Sequence, residues 1–167
     1  MRDEIVEVLV KCKSNFALSV AKVLLYVLCA VAVVLGMLSG AFALILLAAV
    51  FGGAGYFAGV YSQVEYEYVY CDKELDIDVI YSQSKRKNVM NIDLGKMEAF
   101  VRTSSAKMDN FNGRQFAAVK DFSTKNKETA NDVFALIYDG NLKILIEPNE
   151  KLINAIYYVA PSKVHKN

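Results

Sequence analysis

The longest uncharged stretch of this chain constrains its fold more than any other feature. Residues 23–61 contain no Asp, Glu, Lys or Arg. A single helix of that length, apolar on every side, does not fit the core of a small globular domain. Two helices of about 20 residues, each about 30 Å long, match the hydrocarbon thickness of a bilayer. The sequence therefore predicts two membrane-spanning helices, at about 16–35 and 41–61, joined by a tight uncharged turn at 36–40.

The distribution of positive charge predicts the side of the membrane on which the hairpin begins and ends. Basic residues flank the hairpin but are absent from its turn: Arg2, Lys11, Lys13 and Lys22 at one end, and Lys73, Lys85, Arg86 and Lys87 at the other. The positive-inside rule then predicts a multi-pass protein of the cell (inner) membrane with both termini cytoplasmic. Lys22 is near enough to the end of its span for the ammonium to reach the headgroups. A cleaved signal peptide is the alternative, since residues 41–43 have the A-x-A form, although the apolar run continues directly beyond them.

A stripe of small residues marks the second span. Gly52, Gly55 and Gly59 recur near helical spacing, and residues 55–59 have the GxxxG form. Small side chains allow two helix backbones to approach closely. We interpret the stripe as a packing face against the first span, with homodimerisation as the alternative.

The segment before the first span has a helical pattern. Ile5, Val8, Leu9 and Cys12 recur at helical spacing, which predicts a short helix that lies in the membrane interface or extends the first span. Residues 1–61 are therefore assigned to an N-terminal segment and transmembrane hairpin. Residues 62–167 are long enough for one cytoplasmic domain with its own core.

The sequence of the cytoplasmic half predicts a series of strands followed by one helix. Alternation predicts a three-stranded antiparallel meander over 64–70, 75–81 and 89–94, with turns at 72–74 and 84–88. Segment 96–102 fits either a helical turn or a fourth strand. A further strand is predicted at 116–122, followed by a polar turn at 123–130, and then a hairpin over 133–146 with Asp139-Gly140 in a type I′ turn. Pro148 and Pro161 bound a terminal helix, and the tail 162–167 is expected to fray.

This element order resembles that of the bacterial pleckstrin-homology-like (PH-like) domains that follow membrane hairpins. Three segments, Tyr66-Glu67-Tyr68, Glu74-Leu75-Asp76-Ile77-Asp78 and Ser84-Lys85-Arg86-Lys87, are also similar to an uncharacterised family of small clostridial two-span membrane proteins. The resemblance implies an α+β fold: a two-helix transmembrane hairpin followed by a small antiparallel β-barrel or sheet with a C-terminal helix. The alternative is another α+β fold in which the last helix covers a sheet. The resemblance implies no particular activity.

Candidate chemistry is sparse. His165, the single histidine, lies in the terminal tail, which removes most nucleophile–histidine pairs and histidine metal sites. Two pairs of acids, Glu65 with Glu67 and Asp76 with Asp78, share strand faces, and we interpret each pair as the solvated side of a strand. Three widely spaced cysteines, Cys12, Cys29 and Cys71, form no disulfide or metal pattern. We therefore predict no catalytic residue, no metal and no cofactor, and the net charge of +1 without a basic stripe predicts no nucleic-acid partner.

One contact patch remains, at Lys85, Arg86 and Lys87, where three adjacent cations could meet an anionic leaflet or a protein. The leading hypothesis is a non-enzymatic membrane protein that presents a PH-like domain to an unidentified protein partner or to membrane lipids. The second is an accessory subunit of a larger membrane complex that docks through its glycine-rich span. The third is a membrane enzyme that uses carboxylates at the cytoplasmic interface.

Overall fold

The computed structural model describes residues 5–12, 14–83, 85–126 and 132–165. Backbone contacts divide the chain into two units. The hairpin unit takes in the described parts of 14–64 and 81–85, and the β unit takes in those of 1–13, 65–80 and 86–167. The two units are described separately below.

The hairpin unit consists of α1 (Phe16–Ser39) and α2 (Phe42–Ser62), both long and apolar enough to cross a membrane. Asn15 caps α1, since its side chain accepts hydrogen bonds from the backbone N–H of Ala17 and Leu18. At the open end of the hairpin, Asn15 N donates to Ser62 O at 3.0 Å.

The connection between the helices is shorter than predicted. Gly36 and Ser39 belong to α1 and not to a turn, and the chain reverses at Gly40, whose φ of 66° is left-handed, and Ala41. Gly36 is buried in α1 and faces the other helix, where an added Cβ would lie 3.0 Å from Ile45 Cγ1. The glycine therefore serves close packing of the two helices.

The first sheet contains four strands in the order β1 (Val6–Lys11), β2 (Val64–Cys71), β3 (Glu74–Tyr81) and β4 (Lys85–Asp93). Strand β1 pairs antiparallel with β2, with Lys11 opposite Glu65. The predicted N-terminal helix is therefore wrong. Val6, Val8 and Val10 are buried while their neighbours are exposed, so a two-residue period prevails over the helical spacing.

Two tight turns connect the strands of the meander. Asp72 and Lys73 both have positive φ, and so do Ser82 and Gln83, as type I′ turns require. Because the second turn closes at residues 82–83, Lys85, Arg86 and Lys87 begin strand β4, and the predicted turn at 84–88 is wrong in the residues described. The type I′ turn predicted at Asp139-Gly140 is confirmed by φ values of 48° and 67°.

The second sheet contains five strands in the order β6-β8-β7-β5-β9. Their bounds are β5 (Met97–Arg102), β6 (Ala118–Asp121), β7 (Phe134–Tyr138), β8 (Leu142–Ile146) and β9 (Val164–His165). The ambiguous segment 96–102 is thus mainly a strand. The expected fraying of the tail is wrong at Val164, which is buried and pairs with Phe100. Residues 166–167, and 127–130 of the predicted polar turn, lie outside the described residues.

Two α-helices complete the described part of the β unit, the short α3 (Asp109–Asn112) and the terminal α4 (Glu150–Val159). Helix α4 is capped by Asn149, whose side chain accepts from Leu152 N. Its buried residues join one apolar core with both sheets, which includes Ile77 of β3, Phe100 of β5 and Ile156 of α4. The predicted α+β class is confirmed, and the described strands form two sheets and not a closed barrel.

Candidate functional site

The three cations of the predicted contact patch have different surroundings. Arg86 donates a hydrogen bond from Nε to Asp78, and its Nη2 lies 3.0 Å from a Glu67 carboxylate oxygen. The bond to Asp78 raises the pKa of Arg86 above its ordinary value. Lys85 and Lys87 are exposed, and no carboxylate of the described residues forms an ion pair with either. Of the three, the lysines are thus better placed than Arg86 to meet an external anion.

The acids of β3 face donors from β4. Asn88 donates to Asp78 at 2.8 Å, and Asn91 donates to Asp76 at 2.9 Å and to Glu74 at 3.2 Å. Asp78 is buried, so these bonds and the Arg86 ion pair offset the cost of removing its carboxylate from water. The sequence predicted the shared face of Asp76 and Asp78, but its interpretation as the solvated side of a strand is wrong for Asp78, which is buried and contacts Arg86 and Asn88.

The arrangement of these carboxylates suits structural stabilisation better than catalysis, because their oxygens already accept hydrogen bonds. Among the described residues, no group of three or more His, Cys, Asp or Glu side chains is placed to hold a metal ion.

The glycines of the predicted packing stripe face α1 of the same hairpin. A Cβ added at Gly52 would lie 3.5 Å from Cys29 Sγ, and one added at Gly55 would lie 3.3 Å from Tyr26 Cε1. At Gly59 the added atom would lie 3.2 Å from Lys22 Cδ. Gly53, on another side of α2, has no such neighbour within 4 Å among the residues that the structure describes. Gly53 is therefore a natural control for substitutions in the stripe.

A buried tyrosine, to which the sequence analysis gave no contacts, connects distant parts of the β unit. Tyr68 is fully buried, its hydroxyl donates to Phe122 O at 2.7 Å, and the same oxygen accepts from Glu147 N at 3.3 Å. Burial raises the pKa of Tyr68 well above its ordinary value. The alternation of tyrosines in β2 gave a signal for its inward face, but nothing in the sequence pointed to partners so far along the chain.

Cys12 lies in the same region of the β unit. Its thiol makes a weak contact of 3.9 Å to Ser123 O. Burial, with a smaller contribution from Glu147, raises the pKa of Cys12 to about 11. The thiol is therefore protonated at neutral pH and is a poor nucleophile.

The single histidine lies on β9. His165 Nδ1 is 3.0 Å from Lys107 Nζ. Partial burial and the charge of Lys107 both lower the pKa of His165. The neutral imidazole is therefore favoured at pH 7, and its Nδ1 can accept a hydrogen bond from the Lys107 ammonium.

Comparison with known proteins identifies one family. A family model described as a bacterial PH-like domain (DUF6106) matches residues 2–166, which is nearly the whole chain and includes both apolar helices. No curated protein and no solved structure matches the chain.

Proposed function

We propose that this chain, which belongs to the bacterial PH-like domain family (DUF6106), is a membrane-anchored interaction protein. The hairpin α1–α2 spans the inner membrane, both termini lie in the cytoplasm, and the PH-like domain acts by binding and not by catalysis. PH-like domains commonly bind lipids or proteins. For this chain we favour the anionic membrane surface as the ligand, with a protein partner as the alternative that the experiments below distinguish.

One observation supports the proposed anchoring of the chain in the membrane by its hairpin. The chain leaves the first sheet at Lys11 and returns to it at Glu65, and these two residues are paired across β1 and β2. The two helices between them have few buried residues, as lipid-facing helices do. A hairpin that starts and ends on neighbouring strands must cross the membrane twice or not at all, which supports placing both termini on one side.

The lysines at the start of β4 support the membrane surface as a ligand. Lys85 and Lys87 are exposed and have no carboxylate partner among the described residues. Each lysine near an anionic leaflet contributes about 1 kcal/mol to binding, and salt weakens this contribution. Because Arg86 is engaged by Asp78 and Glu67, we assign the contact to the two lysines and a structural role to the arginine.

Docking into a larger complex through the second span is less well supported. Gly52, Gly55 and Gly59 each have α1 as a close neighbour, which favours packing inside the hairpin over a free docking face or a homodimer. The third hypothesis, an enzyme with interfacial carboxylates, receives no support from Asp76 and Asp78, because both accept hydrogen bonds within the β unit.

Anchoring is tested by fractionation and cysteine labelling of the full chain. We expect the protein to resist alkaline carbonate extraction. In a Cys71→Ser background, a membrane-impermeant maleimide applied to intact cells should label Ser39→Cys at the hairpin tip but not Lys151→Cys on α4. Labelling of Lys151→Cys in intact cells would contradict the cytoplasmic placement, and extraction by carbonate would contradict the membrane span.

The surface contact is tested on the full chain in nanodiscs, because the fragment 62–167 lacks strand β1. Hydrogen exchange in the peptide that covers Lys85 and Lys87 should be slower in phosphatidylglycerol than in phosphatidylcholine. Salt should reduce this protection, because the Debye length is about 8 Å at physiological ionic strength. The double variant Lys85→Gln/Lys87→Gln should lose the protection, and Lys151→Gln should retain it. Equal exchange in both lipids would reject the contact, and co-purification of a protein that requires the same lysines would favour the alternative.

A further inference from the structure

The hairpin unit contains a small open cavity at the end where its chain enters and leaves. The cavity has a volume of about 170 Å³, and the residues that line it include Lys22, Tyr26, Tyr56, Ser62, Gln63 and Ser82. All of these residues belong to the hairpin unit. We call it the Lys22 pocket.

Lys22 is chemically isolated in this unit. It is the one charged residue between positions 14 and 64. No carboxylate of the described residues forms an ion pair with its ammonium. A lysine in a membrane-spanning helix is costly unless its charge reaches water or an anion. The charge of Lys22 must therefore be stabilised by water or by an anion outside the described residues.

The depth of the pocket matches the headgroup region. Lys22 is six residues from the start of α1, about 9 Å along the helix axis, and Gly59 is three residues from the end of α2. Tyr26 and Tyr56 lie one turn deeper and are exposed beside it, as expected for side chains of the interfacial aromatic belt. An ammonium at this depth can meet the phosphate of a phospholipid.

Gly59 keeps the pocket open. A Cβ at this position would lie 3.2 Å from both Cδ and Cε of Lys22 and 3.4 Å from its Nζ. The missing side chain allows the lysine stem to lie along α2 with its ammonium at the cavity. Tyr26, Tyr56, Gln63 and Ser82 also line the cavity, and their side chains carry neutral groups that can donate hydrogen bonds.

We propose that the Lys22 pocket binds the phosphate of an anionic phospholipid headgroup. The phosphate oxygens accept from the ammonium and from the neighbouring hydroxyls, which forms a charge-assisted site. Among the described residues, no carboxylate lines the pocket to receive the cation of a zwitterionic headgroup, which favours phosphatidylglycerol over phosphatidylcholine. This inference rests on the proposed membrane anchoring.

Native mass spectrometry of the full chain, released from a non-ionic detergent, tests the proposal. The probes are phosphatidylglycerol, phosphatidylcholine with the same acyl chains, and inorganic phosphate. We expect one phosphatidylglycerol per chain, bound more tightly than phosphatidylcholine. Lys22→Gln should weaken that binding by about tenfold or more, because a hydrogen bond to a charged group is lost, and Lys22→Arg should largely retain it.

A second pair of variants separates pocket closure from misfolding. Gly59→Leu should fill the pocket and weaken phosphatidylglycerol binding, whereas Gly53→Leu, which has no described neighbour within 4 Å, should not. Equal binding by the wild type and Lys22→Gln would overturn the proposal. Equal binding of the two lipids would overturn the preference for an anionic headgroup, and inorganic phosphate that binds as tightly as lipid would assign the pocket to free phosphate. A protein that resists carbonate extraction but fails these tests loses only the lipid site, whereas extraction by carbonate refutes the anchoring itself.

Discussion

Removing one hydroxyl group, by Tyr68→Phe, tests how the β unit is held together. The substitution keeps the buried ring and removes only the oxygen that bonds Phe122 O at 2.7 Å and Glu147 N at 3.3 Å. A hydrogen bond contributes about 1 kcal/mol net, but a buried group that loses its partner costs about 1–3 kcal/mol. Two backbone groups are affected, so we expect the free energy of unfolding to fall by about 2–4 kcal/mol.

For a domain of this size, such a loss lowers the melting temperature by roughly 10 °C or more. Near-UV circular dichroism of the full chain in detergent measures it, because tyrosine signals report the packed β unit. Hydrogen exchange should also become faster at Glu147 and in the segment that contains Phe122. The matched control is Tyr158→Phe, which makes the same chemical change at an exposed position of α4.

The same variant has a pH signature. The folded-state pKa of Tyr68 is raised, so the neutral phenol is favoured in the fold. Its contribution to stability is complete below the pKa of the unfolded phenol, about 10, and is lost as the pH rises from there toward the folded value. Tyr68→Phe should therefore show a weaker loss of stability above pH 10 than the wild type. A melting temperature equal to that of Tyr158→Phe, together with an unchanged alkaline slope, would refute the role of this hydroxyl.

Three further predictions follow from other contacts. In β1, Val8→Ala should lower the free energy of unfolding by about 1–3 kcal/mol while Leu9→Ala changes it little, since Val8 is buried and Leu9 is half exposed. Equal losses of unfolding free energy for the two variants in chemical denaturation would contradict the strand. In the hairpin, Gly55→Leu should lower thermal stability in detergent through its clash with Tyr26, whereas Gly53→Leu should leave it near the wild-type value. At pH 8, iodoacetamide should alkylate the exposed Cys71 well before Cys12, whose pKa is raised to about 11. Mass spectrometry of samples taken over time would show the order of alkylation. Faster labelling of Cys12 would contradict its burial.

Much of the architecture was predictable because its signals are local. The charge-free run sufficed for two helices, and the observed α1 and α2 include the predicted spans 16–35 and 41–61 except at Ala41, which is the N-terminal cap of α2. The alternation of β2 and β3, and the Asp139-Gly140 turn, likewise depend on neighbouring residues. Each of these features can be predicted from residues that are close together in the sequence, without knowledge of distant contacts.

The errors arose where a distant partner decides the conformation. Residues 5–12 carry both a helical and an alternating pattern, and only pairing with β2 selects the strand. Val164 is ordered by β5, which the tail sequence does not reveal. The same limit applies to the candidate site: the cations at 85–87 are visible in the sequence, but the engagement of Arg86 by Asp78 and Glu67 is a cross-strand property.

The insertion of the hairpin between β1 and β2 has a consequence for biosynthesis. The ribosome completes β1 before the hairpin and β2 after it, although the two strands are neighbours in the finished sheet. In a membrane-inserted chain, β1 therefore remains unpaired until both helices and β2 have been synthesised. Until then, the side chains of Val6, Val8 and Val10, which are buried in the folded protein, are exposed. In the proposed topology, folding of the domain therefore depends on correct insertion, since a nascent chain whose second helix fails to return to the starting side leaves β2 across the bilayer from β1.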